Sequence, residues 1–237
     1  MQRWRGRDDY MRDERGNIIR CKDGRPRLKP GRKKTGKRRG GPHRRRPEVD
    51  ARHPQHVTLR SARRLPWRRR EAYAVFRRVL EAYLGKPDFR VCHISIQQSH
   101  VHLIVEAASR KALSCGMQSL AIRAAHAFHA DDGGCGKIFA YRYHASQITT
   151  ARYARHALAY VLNNWRRHRE DFAHGALVPA HLDEYSSAVS FTGWTIEFAR
   201  HPTHVPLPVS PPQSWLLREG WRRYGTIDPQ ECPGPLW

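Results

Sequence analysis

The chain reads as an α+β protein: a ferredoxin-like split βαβ unit with an antiparallel sheet, extended by one further helix that bears a tyrosine. Three observations predict it. Short runs rich in alternating, β-branched and aromatic residues mark four strands. Longer segments with apolar residues three and four apart mark the helices. The segments then follow the order strand, helix, strand, strand, helix, strand, helix. A disordered basic arm precedes the unit and an irregular proline-rich tail follows it, giving expected domains of 1–50, 51–170 and 171–237.

His56-Val-Thr-Leu-Arg60 alternates and predicts the first strand. Pro66 opens a helix to Leu84, with Tyr73, Phe76, Val79, Leu80 and Tyr83 along one face. Gly85-Lys-Pro87 stops it. Phe89 to Ile96 predicts a second strand, Gln97 to Ser99 a tight turn, and Val101 to Ala107 a third strand. Ser109 is placed to cap a second helix running to about His129, which Asp131-Asp-Gly-Gly134 ends. Ile138 to Ile148 predicts the fourth strand, and Thr149 or Thr150 caps a last helix through Tyr153, Ala157, Tyr160, Val161 and Asn164. With helices on one face of the sheet, the other face is expected to be free for a substrate. In the tail only Gln213 to Tyr224 looks helical, and its Trp215, Leu216, Leu217 and Trp221 predict an apolar strap on the main domain.

The charge narrows the function classes. A formal net charge of +23 and a pI near 10.8 call for a polyanionic partner, with nucleic acid first. Residues 1–50 hold 19 Lys/Arg against 7 Asp/Glu with almost no apolar periodicity, about half of that charge in a fifth of the chain. Arg25 and Arg27, in Gly24-Arg-Pro-Arg27, suit a narrow minor groove in the manner of an AT-hook, or phosphates without preference. Five cysteines, Cys21, Cys92, Cys115, Cys135 and Cys232, show no Cys-x-x-Cys spacing and predict reduced thiols in a cytoplasmic protein. No run approaches the ~18 apolar residues of a membrane span, and no secretory signal is expected.

His100 and His102 are two apart on the third strand, so both imidazoles project from one face. An isolated pair of this kind also serves packing. Sixty residues on, Tyr160 and Asn164 are four apart on a helix, ~5.4 Å of rise. If that helix packs beside the third strand, two imidazoles, an amide oxygen and a phenol converge. Such a nitrogen and oxygen set suits Mg²⁺ or Mn²⁺, with positions left for water and phosphate. His156, four residues before Tyr160, is a candidate to help it ionise, or a solvent-facing residue. Tyr153 is a rival nucleophile or a packing residue, and Glu106 either orients a ligating imidazole or lies exposed. Arg152, Arg155, Arg166, Arg167 and Arg169 are candidate phosphate clamps. Gly133-Gly-Cys-Gly-Lys137 lacks the Walker spacing and reads as a turn.

His100-Val-His-Leu-Ile-Val-Glu106 followed by Tyr160-Val-Leu-Asn-Asn164 resembles the HUH single-tyrosine transposases of small bacterial insertion sequences, and more closely the REP-associated tyrosine transposases. His56-Val-Thr-Leu-Arg60 and His93-Ile-Ser-Ile-Gln97 are similar to that group's first two strands, so the resemblance covers about residues 52–168. Glu184-Tyr-Ser-Ser187 is similar to a short segment of some relatives, with no role implied. The resemblance implies an enzyme that cleaves and rejoins single-stranded DNA near hairpins. Tyr160 would be the nucleophile, forming a 5′-phosphotyrosine, and His100, His102 and Asn164 would hold a divalent metal. It also implies a bacterial cytoplasmic setting at the nucleoid and allows a homodimer. Two other functions fit the same fold: a non-catalytic nucleic-acid-binding module, and a metal-dependent nuclease without a covalent step.

Overall fold

The computed structural model describes residues 12–20, 24, 47–62, 66–169, 182–197 and 204–234. Arg25 and Arg27 lie outside them. The chain divides into two units, Met1–Pro42 and His43–Trp237. In the first, where no regular element was expected, Arg12 bridges Ile18 around a turn whose Asp13 carboxylate accepts from the backbone N–H of Arg15 and Asn17.

In the second unit, strands β1 (Gln55–Arg60), β2 (Phe89–Ile96), β3 (His100–Ala107) and β4 (His144–Gln147) form one sheet in the order β2-β3-β1-β4. Every neighbouring pair is antiparallel, as the split βαβ arrangement requires. Helices α1 (Arg70–Glu81) and α2 (Arg110–Asp132) cover one face. There Val57, Leu59, Val101, Leu103 and Val105 meet Phe76, Leu80, Leu113, Met117 and Leu120 in the larger core. Ser109 Oγ accepts from the Ala112 N–H to start α2, and Gly133, at φ 62°, ends it in the left-handed conformation glycine adopts without penalty. Gly116 of α2 lies against Phe89, whose ring leaves no room for a Cβ.

The other face is not free. Helix α3 (Ala151–Leu162), begun by Thr150 Oγ1 accepting from the Tyr153 N–H, lies over β2 and β3. Its Ala154, Ala157, Leu158 and Val161 pack with Cys92 and Ile104 of the sheet and with Leu216, Leu217, Trp221 and Ile227 of the tail. A β-bulge between Val91 and His93 supplies one of these contacts, turning Cys92 toward α3 while Val91 and Ile94 stay in the larger core. The expected strap is therefore present, split into α5 (Trp215–Arg218) and a 3-10 turn, Gly220–Tyr224.

Three elements differ from the sequence expectation for local reasons. Residues 66–69 stay outside α1 because Trp67 turns into the core against Phe76, Phe128 and Phe139, while Arg68 bonds Asp183 and the Ile96 carbonyl. The fourth strand shortens to His144–Gln147, since Phe139 packs on Trp67 and the chain bends before His144. The last helix breaks at Asn163, with φ −106° and ψ 13°, so Asn164 opens a separate turn, α4 (Asn164–Arg167). Asn163 Nδ2 donates to the carbonyls of Asp228 and Glu231, and these tail contacts hold the break.

Candidate active site

Strand register assembles the site. Thr58 of β1 pairs with His102 of β3 and with His144 of β4, while Arg60 pairs with His100. Alternation then puts His56, Thr58, Arg60, His100 and His102 on the face that α3 partly covers. The rings of His100 and His102 are 4.5 Å apart, and the Tyr160 ring on α3 stands edge-on to His102 at 5.2 Å and to His56 at 5.6 Å. His168, at the end of α4, packs against His100 at 5.1 Å.

The hydrogen bonds give the two edges of His102 different tasks. Its Nδ1 lies 3.0 Å from Nε2 of His56 and 3.2 Å from Oγ1 of Thr58. When Nδ1 carries the proton and donates to these partners, Nε2 is left with its lone pair. That Nε2 is buried and unpartnered. Both amide atoms of Asn164, which is fully buried, are unpartnered as well. Burial holds His56 and His100 at pKa values of about 4 and pushes His102 well below the ordinary range, with neighbouring imidazoles adding to the effect. All three rings are neutral near pH 7 and able to donate lone pairs.

A buried polar atom without a partner costs about 1–3 kcal/mol, so Nε2 of His102 and the Asn164 amide would each be stabilised by a ligand group. Imidazole nitrogens and an amide oxygen, the donor types of His100, His102 and Asn164, are ones that a divalent cation takes. Among the described residues no three His, Cys, Asp or Glu side chains gather to enclose a metal.

The remaining candidates fall in different places. Tyr153 of α3 is half-buried against the smaller core, and His156 is exposed. Glu106 is buried, but it neither contacts an imidazole nor reaches solvent: its carboxylate accepts from the backbone N–H of Gln213 and Ser214, and Arg90 pairs with it. Arg155 bonds Glu231 and the Thr226 carbonyl, and Arg166 donates to the Pro229 carbonyl. Arg167 donates to the Pro233 carbonyl at 3.4 Å and also stands beside the site, its guanidinium carbon 5.7 Å from the Tyr160 ring centre, and Arg152 is exposed. Arg169 adopts a positive φ of 55° after α4. Gly133–Lys137 is the end of α2 and a turn. Glu184–Ser187 lies along the edge of β2, where Ser95 bridges Ser186 and the Tyr185 carbonyl accepts from Ile96.

Sequence reasoning did not single out His56 or His168. Strand period alone puts His56 on the face of Thr58 and Arg60, and pairing with β3 was the missing step. For His168 no pattern was available, because the break at Asn163 redirects everything after it.

Residues 51–164 match the family described as Transposase IS200 like. Among solved structures, the chain is similar to one described as the REP associates tyrosine transposase bound to a REP hairpin. The two share 16% identity over 54% of this chain and 74% of that chain, with a TM-score of 0.45. No curated protein matches the chain.

Proposed function

Residues 51–164 belong to the IS200-like transposase family, and from that premise we propose that the chain cleaves and rejoins single-stranded DNA beside hairpins through a 5′-phosphotyrosine on Tyr160. His100, His102 and Asn164 would hold Mg²⁺ or Mn²⁺, which would supply Lewis-acid polarisation of the phosphate. The observation that carries the reading is the unpartnered Nε2 of His102, buried 5.2 Å ring to ring from Tyr160.

In the cutting step the Tyr160 oxygen bonds to phosphorus as the bond from phosphorus to the 3′-oxygen breaks. The phenolic proton passes to solvent, which the part-exposed Tyr160 reaches, and the departing oxygen takes one up as a 3′-OH. The phosphotyrosine conserves the bond energy, so a second 3′-OH rejoins the strand by the reverse exchange. Arg167 beside the ring supports the developing negative charge, and exposed Arg152 contacts phosphates farther along the strand. His56 holds the His102 ring by Nδ1, which would leave Nε2 available as a metal ligand. Arg155 and Arg166 serve instead to fasten the tail to the tyrosine helix.

The strong charge gives the protein its affinity for DNA and makes that affinity salt-dependent. Among the described residues no helix is long and apolar enough to cross a membrane. A cytoplasmic location at the nucleoid belongs to the same reading.

Labelled hairpin DNA with a single-stranded flank, incubated with the protein and Mn²⁺, should yield a protein–DNA species that survives a denaturing gel. Tyr160→Phe removes one oxygen and keeps the ring, so the adduct should vanish while hairpin affinity holds. Binding without any adduct would leave a nucleic-acid-binding module, and cleavage by Tyr160→Phe would mean a nuclease without a covalent step.

A further inference from the structure

The face that carries His100 and His102 continues past α3. Helix α3 lies over β2 and β3, and among the described residues no helix is packed on the same face over β4. A cavity of about 280 Å³ lies there, lined by Thr58, Arg60, Tyr141, Arg142 and His144. The register fixes its position relative to the site. Thr58 bonds His102 Nδ1 from one side and pairs with His144 on the other. With strands ~4.8 Å apart, the far wall stands about 10 Å across the sheet from His102.

The lining has the chemistry of a nucleotide site. It holds two guanidinium groups and an imidazole, and no carboxylate. Arg60 pairs with His100 across the strands, so a phosphate held at Arg60 is close to the histidine pair. Tyr141 is 56% exposed, a large ring left in solvent by the bend that cuts the fourth strand short. An exposed aromatic ring beside paired cations is the arrangement on which single-stranded bases stack. The volume falls just below the ~300–1,000 Å³ of sites that take drug-sized molecules, which suits one nucleotide and not a duplex.

We propose that this cavity holds a nucleotide of the single strand flanking the phosphate that Tyr160 attacks, its base stacked on Tyr141 and its phosphate held by Arg60 and Arg142. The assignment rests on the reading of Tyr160 as the nucleophile and adds the place where the uncut strand is gripped. It also gives the bend at residues 140–143 a task, since a continuous strand would not turn Tyr141 and Arg142 outward together.

The test uses the full chain in EDTA, so that no cleavage occurs, and measures anisotropy of a hairpin with a single-stranded flank against the same hairpin without one. Tyr141→Ala should weaken binding of the flanked hairpin roughly 5- to 100-fold and leave the blunt one unchanged. Tyr141→Phe should bind as wild type. An abasic site at one flank position should cause the same loss in the wild type and no further loss in Tyr141→Ala. Equal affinity of Tyr141→Ala and wild type for the flanked hairpin, or an equal loss on the blunt one, overturns the proposal. The covalent adduct with Mn²⁺ is scored separately. An adduct with no Tyr141 effect removes only this subsite, whereas a Tyr141 effect with no adduct removes the strand-transfer reading and keeps a nucleotide site.

Discussion

The two faces of the sheet are drawn from the same strands, one residue apart, and they differ in what burial leaves behind. Toward α1 and α2, Val57, Leu59, Val101, Leu103 and Val105 are at most 2% exposed and pack on carbon alone. Toward α3, His56 and His102 are nearly as buried, at 7% and 4%, yet Nε2 of His102 and the Asn164 amide have no partner. These five side chains gain stability from the carbon they hide. The other face gives up stability to hold donors ready, a trade that only a ligand can reverse.

Adjacent residues of β3 test the contrast most directly. Leu103→Ala should cost about 2–5 kcal/mol in a urea titration, the usual loss for a buried leucine. His102→Ala loses the bonds to His56 and Thr58 but removes the unpartnered Nε2 with them, so it should cost less than Leu103→Ala in the same titration while abolishing Mn²⁺ binding and cleavage. Equal destabilisation by the two would mean that the histidine face is ordinary core.

Acid should separate the faces next. His56, His93 and His100 hold folded pKa values of about 4 because of burial, against 6.5 for an ordinary histidine. Between those values the unfolded chain binds more protons, so stability rises with pH from about 4 to 6.5 and levels off above. Each imidazole contributes at most about 1.4 kcal/mol per pH unit in that window. Urea midpoints measured from pH 4.5 to 7.5 should show the slope, and His93→Phe should reduce it. A flat profile would show that these rings are not buried neutral.

How far the sequence could be read follows from which forces are local. Strand alternation and the spacing of Phe76, Val79 and Leu80 are local, and they predicted the element order and the larger core. Ser109, Thr150 and Gly133 were legible as caps because capping chemistry sits within a turn of its helix. The break at Asn163 was not, since Asp228 and Glu231 create it from more than sixty residues away. Trp67 and Phe139 likewise shorten α1 and β4 through a contact that no periodicity encodes. In the candidate site His100, His102 and Tyr160 were visible as a motif, and the rings are indeed neighbours. Glu106 was expected either to orient an imidazole or to lie exposed and does neither; the bond to His102 comes from His56, across a strand pair whose register had first to be known.

That exchange of partners makes a sharper test of the histidine face. His56→Ala should lower Mn²⁺ affinity about 10- to 100-fold in calorimetric titration, the range seen when a group orienting a metal-bound imidazole is removed. Hairpin affinity in EDTA should not change, since His56 is buried beneath Tyr160 and contacts no solvent-facing cation. Glu106→Gln should leave Mn²⁺ affinity untouched. If the two variants exchange these results, Glu106 governs the metal through a path that its contacts do not contain.

The smallest effect concerns the tail that closes the histidine face. Glu106 accepts from the Gln213 N–H at 2.8 Å and the Ser214 N–H at 2.8 Å, where α5 begins. Glutamine can supply one acceptor oxygen but no charge, and it turns an amide donor toward a second N–H. The loss should be about 1–2 kcal/mol, in line with hydrogen bonds to a charged group. The damage should stay on one side of the sheet. Trp221 and Leu217 would loosen from α3, and Asn163 would lose the carbonyls that hold the helix break. Hydrogen exchange should therefore quicken across 213–231 and around 162–168, with β1, β3 and α2 unchanged. Uniform acceleration throughout the unit would mean that the two faces unfold together and that the tail is not a separate layer.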